Sequence, residues 1–242
     1  MTVLWPLKPY SVIVSVQASG GEPFSKPTAK HAMMHSVVDG GAHGLRLAGV
    51  DDIGYARAQW PALPIIGITK PDPLPEDWKS MVYITPTLDD MVAVAQAGAT
   101  VVAIDGTQRP RPDQLTLTST LEKFRVLCPN TPVMADCDTL LSAVAAEAAG
   151  VDAIATTLSG YTQESLQAKA SPYTPDWALL YQLSQHIRLP IVMEGRLWEP
   201  VHVTKAFRLG ASAVVIGSAI TRPHEVTCRF LTGANGFAQD FV

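Results

Sequence analysis

The chain has 242 residues, 47% hydrophobic and 17% charged, with 18 Lys plus Arg against 22 Asp plus Glu for a formal net charge of −4. This supplies apolar material for a large core. No long basic run or basic–aromatic stripe occurs, so nucleic acid is not an expected partner. Apolar runs stop at about eight residues, against the roughly 20 that cross a bilayer, so no membrane partner is expected either.

In chain order, short Val/Ile-rich runs alternate with helix-like stretches. SVIVSVQ ends on Gln17 and precedes a helix over 27–39; AHGLR ends on Arg46, before a helix over 50–59. PIIGITK ends on Lys70, followed by the Pro- and charge-rich KPDPLPEDWKS and a helix over 88–97. Thr87 opens that helix and Gly98 closes it, a capping residue before and a left-handed stop after. VVAID ends on Asp105 before a helix over 114–127; PVMAD ends on Asp136 before a helix over 138–149, with Asp138 as its opening residue and Gly150 as its stop. DAIATT ends on Thr157, and the long SGYTQESLQAKASPYTP leads through Pro175-Asp176 into a helix over 176–187. IVMEG carries Glu194, before a helix over 199–209 stopped at Gly210. AVVIGS ends on Gly217 and Ser218, before a helix over 223–231; the tail TGANGFAQDFV reads as a loosely ordered end.

Both faces of runs such as Val101–Ile104 and Val214–Ile216 are apolar, as in parallel strands covered on two sides. Length also suits two small α/β domains, but no linker or shift in composition divides the chain. The expectation is a single (β/α)₈ TIM barrel of the phosphate-binding type, with a core over about 11–230, a short N-terminal extension and the C-terminal tail. In such a barrel the strand ends converge on one face, where catalytic residues lie. The two long loops, 70–80 and 159–175, are candidate lids or substrate walls.

Lys70 is the leading catalytic candidate. An amine buried among positive charge loses its proton more readily and can serve as a base, or form a Schiff base with a carbonyl. Glu194, across the barrel, can move protons or hold Lys70. Gln17, Arg46, Asp136, Thr157, Ser159 and Tyr161 are candidate substrate contacts. Asp105 opens DGTQRPRP, where it either joins the site or stabilises a turn. The loops after the last two strands, MEGR and IGSAITRP, carry Gly195, Arg196, Gly217, Ser218 and Arg222, the small and cationic residues that let backbone N–H groups approach a phosphate.

His31 and His35 have a four-residue spacing that can hold a metal, but HAMMH lacks the glutamate of HExxH and falls on the first outer helix, so no metal is assigned. Cys128, Cys137 and Cys228 are odd in number and lack CxxC spacing; buried reduced thiols are expected. MTVLWPLKPY lacks the pattern of a secretory signal, which points to a cytoplasmic location. Other phosphate-binding barrel enzymes, such as a sugar-phosphate isomerase or a Schiff-base aldolase, fit these residues, as does a non-catalytic sugar-phosphate sensor. A homodimer is the default assembly.

The motifs SVQA at 15–18, GGAHGLRLAG at 40–49, LPIIGITK at 63–70, VYITPT at 82–87, VVAIDGTQRPRP at 101–112, VMAD at 133–136, ATTLSGYT at 155–162, MEGR at 193–196 and GSAITRP at 217–223 resemble those of the N-acylglucosamine-6-phosphate 2-epimerase family, also called N-acetylmannosamine-6-phosphate 2-epimerases. The resemblance implies a barrel that interconverts N-acetylmannosamine 6-phosphate and N-acetylglucosamine 6-phosphate in sialic acid or amino sugar catabolism. It implies catalysis by Lys70 and Glu194, with Gln17, Arg46, Asp136 and Arg222 lining the substrate site and no cofactor required. The chain departs from the family pattern at Val16, Ala48 and Met193, where members often carry cysteine, asparagine and alanine.

Overall fold

The computed structural model describes residues 4–18, 20–168 and 173–239. Eight parallel strands close in sequence order into one barrel: β1 (Ser11–Val16), β2 (Gly44–Ala48), β3 (Ile65–Ile68), β4 (Val101–Asp105), β5 (Val133–Asp136), β6 (Ala153–Ala155), β7 (Ile191–Glu194) and β8 (Ala213–Ile216). The helices between and after them are α1 (Pro27–Asp39), α2 (Val50–Gln59), α3 (Leu88–Gln96), α4 (Leu117–Leu127), α5 (Leu140–Ala149), α6 (Trp177–His186), α7 (Pro200–Arg208), the short α8 (Ser218–Thr221) and α9 (Pro223–Gln239). This is the (β/α)₈ barrel expected from the sequence.

Alternation along each strand sorts residues into two cores. Val14, Leu45, Ile65, Val102, Val133, Ile154, Ile191 and Val214 face outward and pack with helix residues such as Met34, Ile53, Met91, Phe124 and Leu180. Ile13, Ile66, Ile68, Val101, Ala103, Met134, Ala153, Ala155, Val192, Ala213 and Val215 fill the interior. Leu7 and Trp5 of the N-terminal segment join the interior cluster, so this short extension is part of the packed barrel. Of the three departures from the family pattern, Val16 and Met193 belong to the outer core and Ala48 packs against the inner one.

Local chemistry fixes several boundaries. Thr87 caps α3 in a capping box with Asp90, and the Asp176 side chain accepts from Leu179 N–H at the start of α6. At α5 the cap is Thr139, one residue later than expected. Asp138 instead accepts hydrogen bonds from the Ser142 hydroxyl (2.7 Å) and the Thr162 hydroxyl (2.6 Å), tying the β6 loop to α5. Gly98, Gly150 and Gly210 all take positive φ where helices stop. The tail differs from expectation: α9 runs to Gln239. Part of the 159–175 loop falls outside the described residues, as do the last residues of the tail. Among the described residues no helix is long and apolar enough to cross a membrane.

The cysteines are all free, but only Cys137 is buried; Cys128 is half-buried and Cys228 is exposed on α9, unlike the buried trio expected. His31 stacks flat on Tyr55 of α2, with ring centroids 3.4 Å apart, and His35 Nε2 lies 3.0 Å from the Tyr55 hydroxyl. The four-residue histidine pair is thus α1–α2 packing.

Gly67 shows how closely the outer layer fits. A Cβ there would lie 2.6 Å from Val94 Cγ1 and 2.8 Å from both Ala99 Cβ and Ile53 Cδ1. Gly67→Ala should therefore destabilise the barrel by about 1–3 kcal/mol through overpacking. Chemical denaturation checks this, and an unchanged midpoint would show that α2 and α3 yield freely.

Candidate active site

The inward phase of the strands decides what meets at the C-terminal mouth. Counting by twos from Ile13, Ile66, Val101, Met134, Ala153, Val192 and Ala213 leads to Gln17, Lys70, Asp105, Asp136, Thr157, Glu194 and Gly217. The candidate residues are the last inward positions of their strands, or the first beyond them. Arg46 is different: it is the middle residue of β2, paired with Ser15 and Ile66, rather than a strand end. It therefore lies one layer deeper than expected.

Arg46 is 1% exposed and holds two carboxylates. Its Nη1 donates to Asp136 Oδ1 (3.0 Å) and Glu194 Oε2 (2.6 Å), while Nη2 donates to Asp136 Oδ2 (2.5 Å). Burial disfavours the guanidinium charge, but Asp136 and Glu194 outweigh it and raise the pKa above the usual arginine value. The Thr157 hydroxyl lies 2.6 Å from Asp136 Oδ1 and 3.0 Å from Glu194 Oε2, so its single proton can go to either. All of these Glu194 bonds use Oε2; Oε1 has no protein partner among the described residues. Burial pushes the Glu194 carboxyl up to about 7, against the downward pull of Arg46.

Above this cluster opens a cavity of about 460 Å³, within the size range of small-molecule sites. Gln17, Arg46, Lys70, Thr157, Tyr161, Glu194, Gly195, Arg196, Gly217, Ser218 and Arg222 line it. Lys70 makes no hydrogen bond or ion pair to any described residue. Burial, reinforced by the charges of Arg222 and Arg46, lowers its pKa, so the neutral amine is more accessible than in a free lysine. Gln17 Nε2 donates to Ser15 Oγ (2.9 Å), and the Gln17 carbonyl accepts from Arg222 Nη2 (3.0 Å).

At the β7–β8 rim, Gly195 and Arg196 take φ of 111° and 58°, a sharp left-handed turn that favours glycine at the first position. The N–H groups of Gly195, Gly217 and Ser218 donate to no described residue. The Arg196 guanidinium is otherwise engaged: Nε donates to the Thr174 carbonyl (2.6 Å) and Nη1 to the Ser159 carbonyl (2.9 Å). It holds the β6 loop beside the cavity.

Two candidate substrate contacts do not line the cavity. Asp136 is fully buried behind Arg46, and Ser159 donates its hydroxyl to Asp176 (2.6 Å), bracing the start of α6. Asp105 likewise accepts from Thr107 N–H and the Arg109 guanidinium, forming the buried turn that was one of its two readings. Sequence reasoning did not nominate Ser15, Tyr83, Trp198 or Glu225, which also line the cavity. Ser15 shares the inward phase of Gln17 and was legible on that ground; Tyr83 and Trp198 stand on loops, where no period applies, and Glu225 lies in the first turn of α9.

Removing Arg46 would leave two buried carboxyls without their counter-charge. Arg46→Met should cost about 3–5 kcal/mol at pH 8. Glu194 in the folded protein titrates near 7, above the ordinary 4.5, so its contribution favours folding at low pH and is lost as pH rises through that window. Without Arg46 the carboxyl rises further, and the deficit should shrink as pH falls toward 5. Denaturation at several pH values measures this; a deficit independent of pH would contradict it.

A family model described as "Putative N-acetylmannosamine-6-phosphate epimerase" matches residues 30–235. A protein from Caldanaerobacter subterraneus subsp. tengcongensis, named "Putative N-acetylmannosamine-6-phosphate 2-epimerase", is 40% identical over 222 residues, covering 91% of this chain and 90% of that protein. One of the same name from Enterobacter sp. (strain 638) is 37% identical over 239 residues, covering 99% and 98%. The solved N-acetylmannosamine-6-phosphate 2-epimerase from Clostridium perfringens superposes with a TM-score of 0.83 at 35% identity, covering 93% of each chain. Barrel, cavity and these matches coincide, and the chain belongs to the N-acetylmannosamine-6-phosphate epimerase family.

Proposed function

We propose that the protein interconverts N-acetylmannosamine 6-phosphate and N-acetylglucosamine 6-phosphate by inverting C2. The observation that carries this reading is a Lys70 amine that bonds to no described residue and a Glu194 carboxyl pushed up to about 7, both on one cavity. Inversion at C2 breaks a C–H bond whose acidity depends on a neighbouring carbonyl. In the cyclic sugar that carbonyl is hidden, so the ring opens first. The Glu194 carboxylate takes the O1 proton as the C1–O5 bond breaks, and O5 takes a proton from solvent.

Neutral Lys70 then removes the C2 proton, and the electron pair moves into the C1 carbonyl to give an enolate. The positive field of Arg46 stabilises the developing negative charge. Solvent returns a proton to the opposite face of C2, which inverts the centre, and the Lys70 ammonium releases its proton to solvent. As the ring closes, O5 gives its proton back to solvent and Glu194 gives its proton back to O1, which a carboxyl near neutrality can do readily. The phosphate end binds at the β7–β8 rim, through the free N–H groups of Gly195, Gly217 and Ser218 and the charge of Arg222. The turn that carries Arg196 positions these groups. Anchoring there orients C1 and C2 over the reacting side chains. These steps move only protons and need no redox cofactor. A symmetric homodimer completes the reading.

Incubation with N-acetylmannosamine 6-phosphate in D₂O, followed by proton NMR, tests the reaction. The expected result is N-acetylglucosamine 6-phosphate carrying deuterium at C2, with Lys70→Ala slower by a factor of about 10²–10⁴ while still binding the sugar phosphate. Unchanged turnover in Lys70→Ala would remove the lysine from the chemistry. Binding without turnover by the unaltered protein would favour the sensor reading.

A further inference from the structure

One polar group on the cavity wall has no role in the chemistry above. Tyr83 is 8% exposed and its hydroxyl bonds to no described residue, although buried phenols normally find a partner. The ring is fixed in place: Trp78 meets it edge-on at 5.5 Å, and the Arg109 guanidinium lies 5.8 Å from its centroid, itself tied to Asp105 at 2.7 Å. The backbone around it is fixed as well. Thr85 N–H donates to the Thr69 carbonyl (2.8 Å), and Asp105 N–H donates to the Ile84 carbonyl (3.0 Å), so this segment is stitched across the ends of β3 and β4. A rigid hydroxyl that bonds to no described residue and opens onto a ligand cavity marks a place where the ligand supplies the partner.

Position and chemistry identify that ligand group. In a barrel whose strands follow sequence order, β3 and β4 stand opposite β7 and β8. A sugar phosphate anchored at the β7–β8 rim therefore directs its far end, C1 and C2 with the substituent on C2, toward Tyr83. Burial raises the phenol pKa above its ordinary value, with Asp105 adding to the shift, so the hydroxyl remains a hydrogen-bond donor. Its complement is an acceptor. Beside it on the cavity lie Ile68 and Ile84, both almost fully buried, which offer an apolar surface but no charge to hold an ammonium group. A carbonyl oxygen carrying a small alkyl group satisfies both features.

We propose that Tyr83 determines specificity for the acyl group, donating its hydroxyl to the amide carbonyl on C2 while Ile68 and Ile84 receive the acyl methyl. The site thereby selects N-acylated hexosamine 6-phosphates over those with a free amine. This rests on the proposed epimerase reading. The hydroxyl contacts a part of the substrate that does not change during the reaction, so it contributes to binding more than to the rate of the bound complex.

The test compares the unaltered protein with Tyr83→Phe on N-acetylmannosamine 6-phosphate and on mannosamine 6-phosphate, with inorganic phosphate binding measured on both proteins. The expected result is a rise of about 2- to 12-fold in KM for the acetylated sugar, the range of one lost neutral hydrogen bond, with kcat nearly constant. Affinity for the free-amine sugar and for phosphate should not change, which also shows that the variant is folded. An unchanged KM, an equal loss for both sugars, a fall confined to kcat, or loss of phosphate binding would each overturn the assignment. If the unaltered protein fails to turn over the acetylated sugar, the epimerase reading fails first; if it turns it over and Tyr83→Phe matches it, only the role of Tyr83 falls.

Discussion

A guanidinium buried inside the barrel constrains everything around it. Arg46 is 1% exposed in the middle of β2, and a charge there is tolerable only when paired. Asp136 from β5 and Glu194 from β7 supply the pairing, with Thr157 beyond β6 shared between the two carboxylates. Four parts of the barrel are thereby fixed around one cation. The opposition between burial and Arg46 also sets the proton affinity of Glu194, since burial alone would push the carboxyl higher and Arg46 draws it back. On the cavity side the same cation adds to the burial and the Arg222 charge that lower the Lys70 pKa. One buried charge thus acts on both proposed proton-transfer groups.

The cavity above this cluster has two chemically distinct ends. At β7–β8, a glycine turn and backbone N–H groups that donate to no described residue suit an anion. At β3–β4, a fixed phenol and two isoleucines suit a neutral carbonyl with a small alkyl group. The β6 loop is held beside the cavity by Arg196 and by the Asp138–Thr162 contact, which leaves Tyr161 on the wall and turns Ser159 away. The family's distinctive ATTLSGYT run is therefore mostly a scaffold, with Thr157 and Tyr161 its cavity-lining members.

Much of this was legible in the sequence because strands alternate. Once eight short apolar runs are recognised, every second residue points inward, and Gln17, Lys70, Asp136, Thr157, Glu194 and Gly217 follow as neighbours without any knowledge of contacts. Periodicity says less about depth. Arg46 has the correct phase but lies inside its strand, because β2 continues to Ala48 where a charged residue suggested an end. Loops have no period to read: Tyr83 could not be placed from the 69–87 connection, since its position depends on hydrogen bonds to Thr69 and Asp105 that only the folded chain makes. Ser159 failed for a similar reason, because its partner Asp176 lies across a loop. The run TGANGFAQDFV read as a loosely ordered end, whereas α9 continues into it as far as Gln239.

The central claim is that Glu194 is held near neutrality between burial and Arg46, so that one group can take and return a proton. Carbon-13 NMR of protein labelled at glutamate carboxyls, with Glu194→Gln to assign the resonance, measures this directly. The account predicts a titration midpoint of about 7 for Glu194 in the unliganded protein. A midpoint in the ordinary glutamate range of about 4.3 would contradict it, because the carboxyl would then be a fixed anion at neutral pH and a poor carrier of the proton that ring opening and closure exchange.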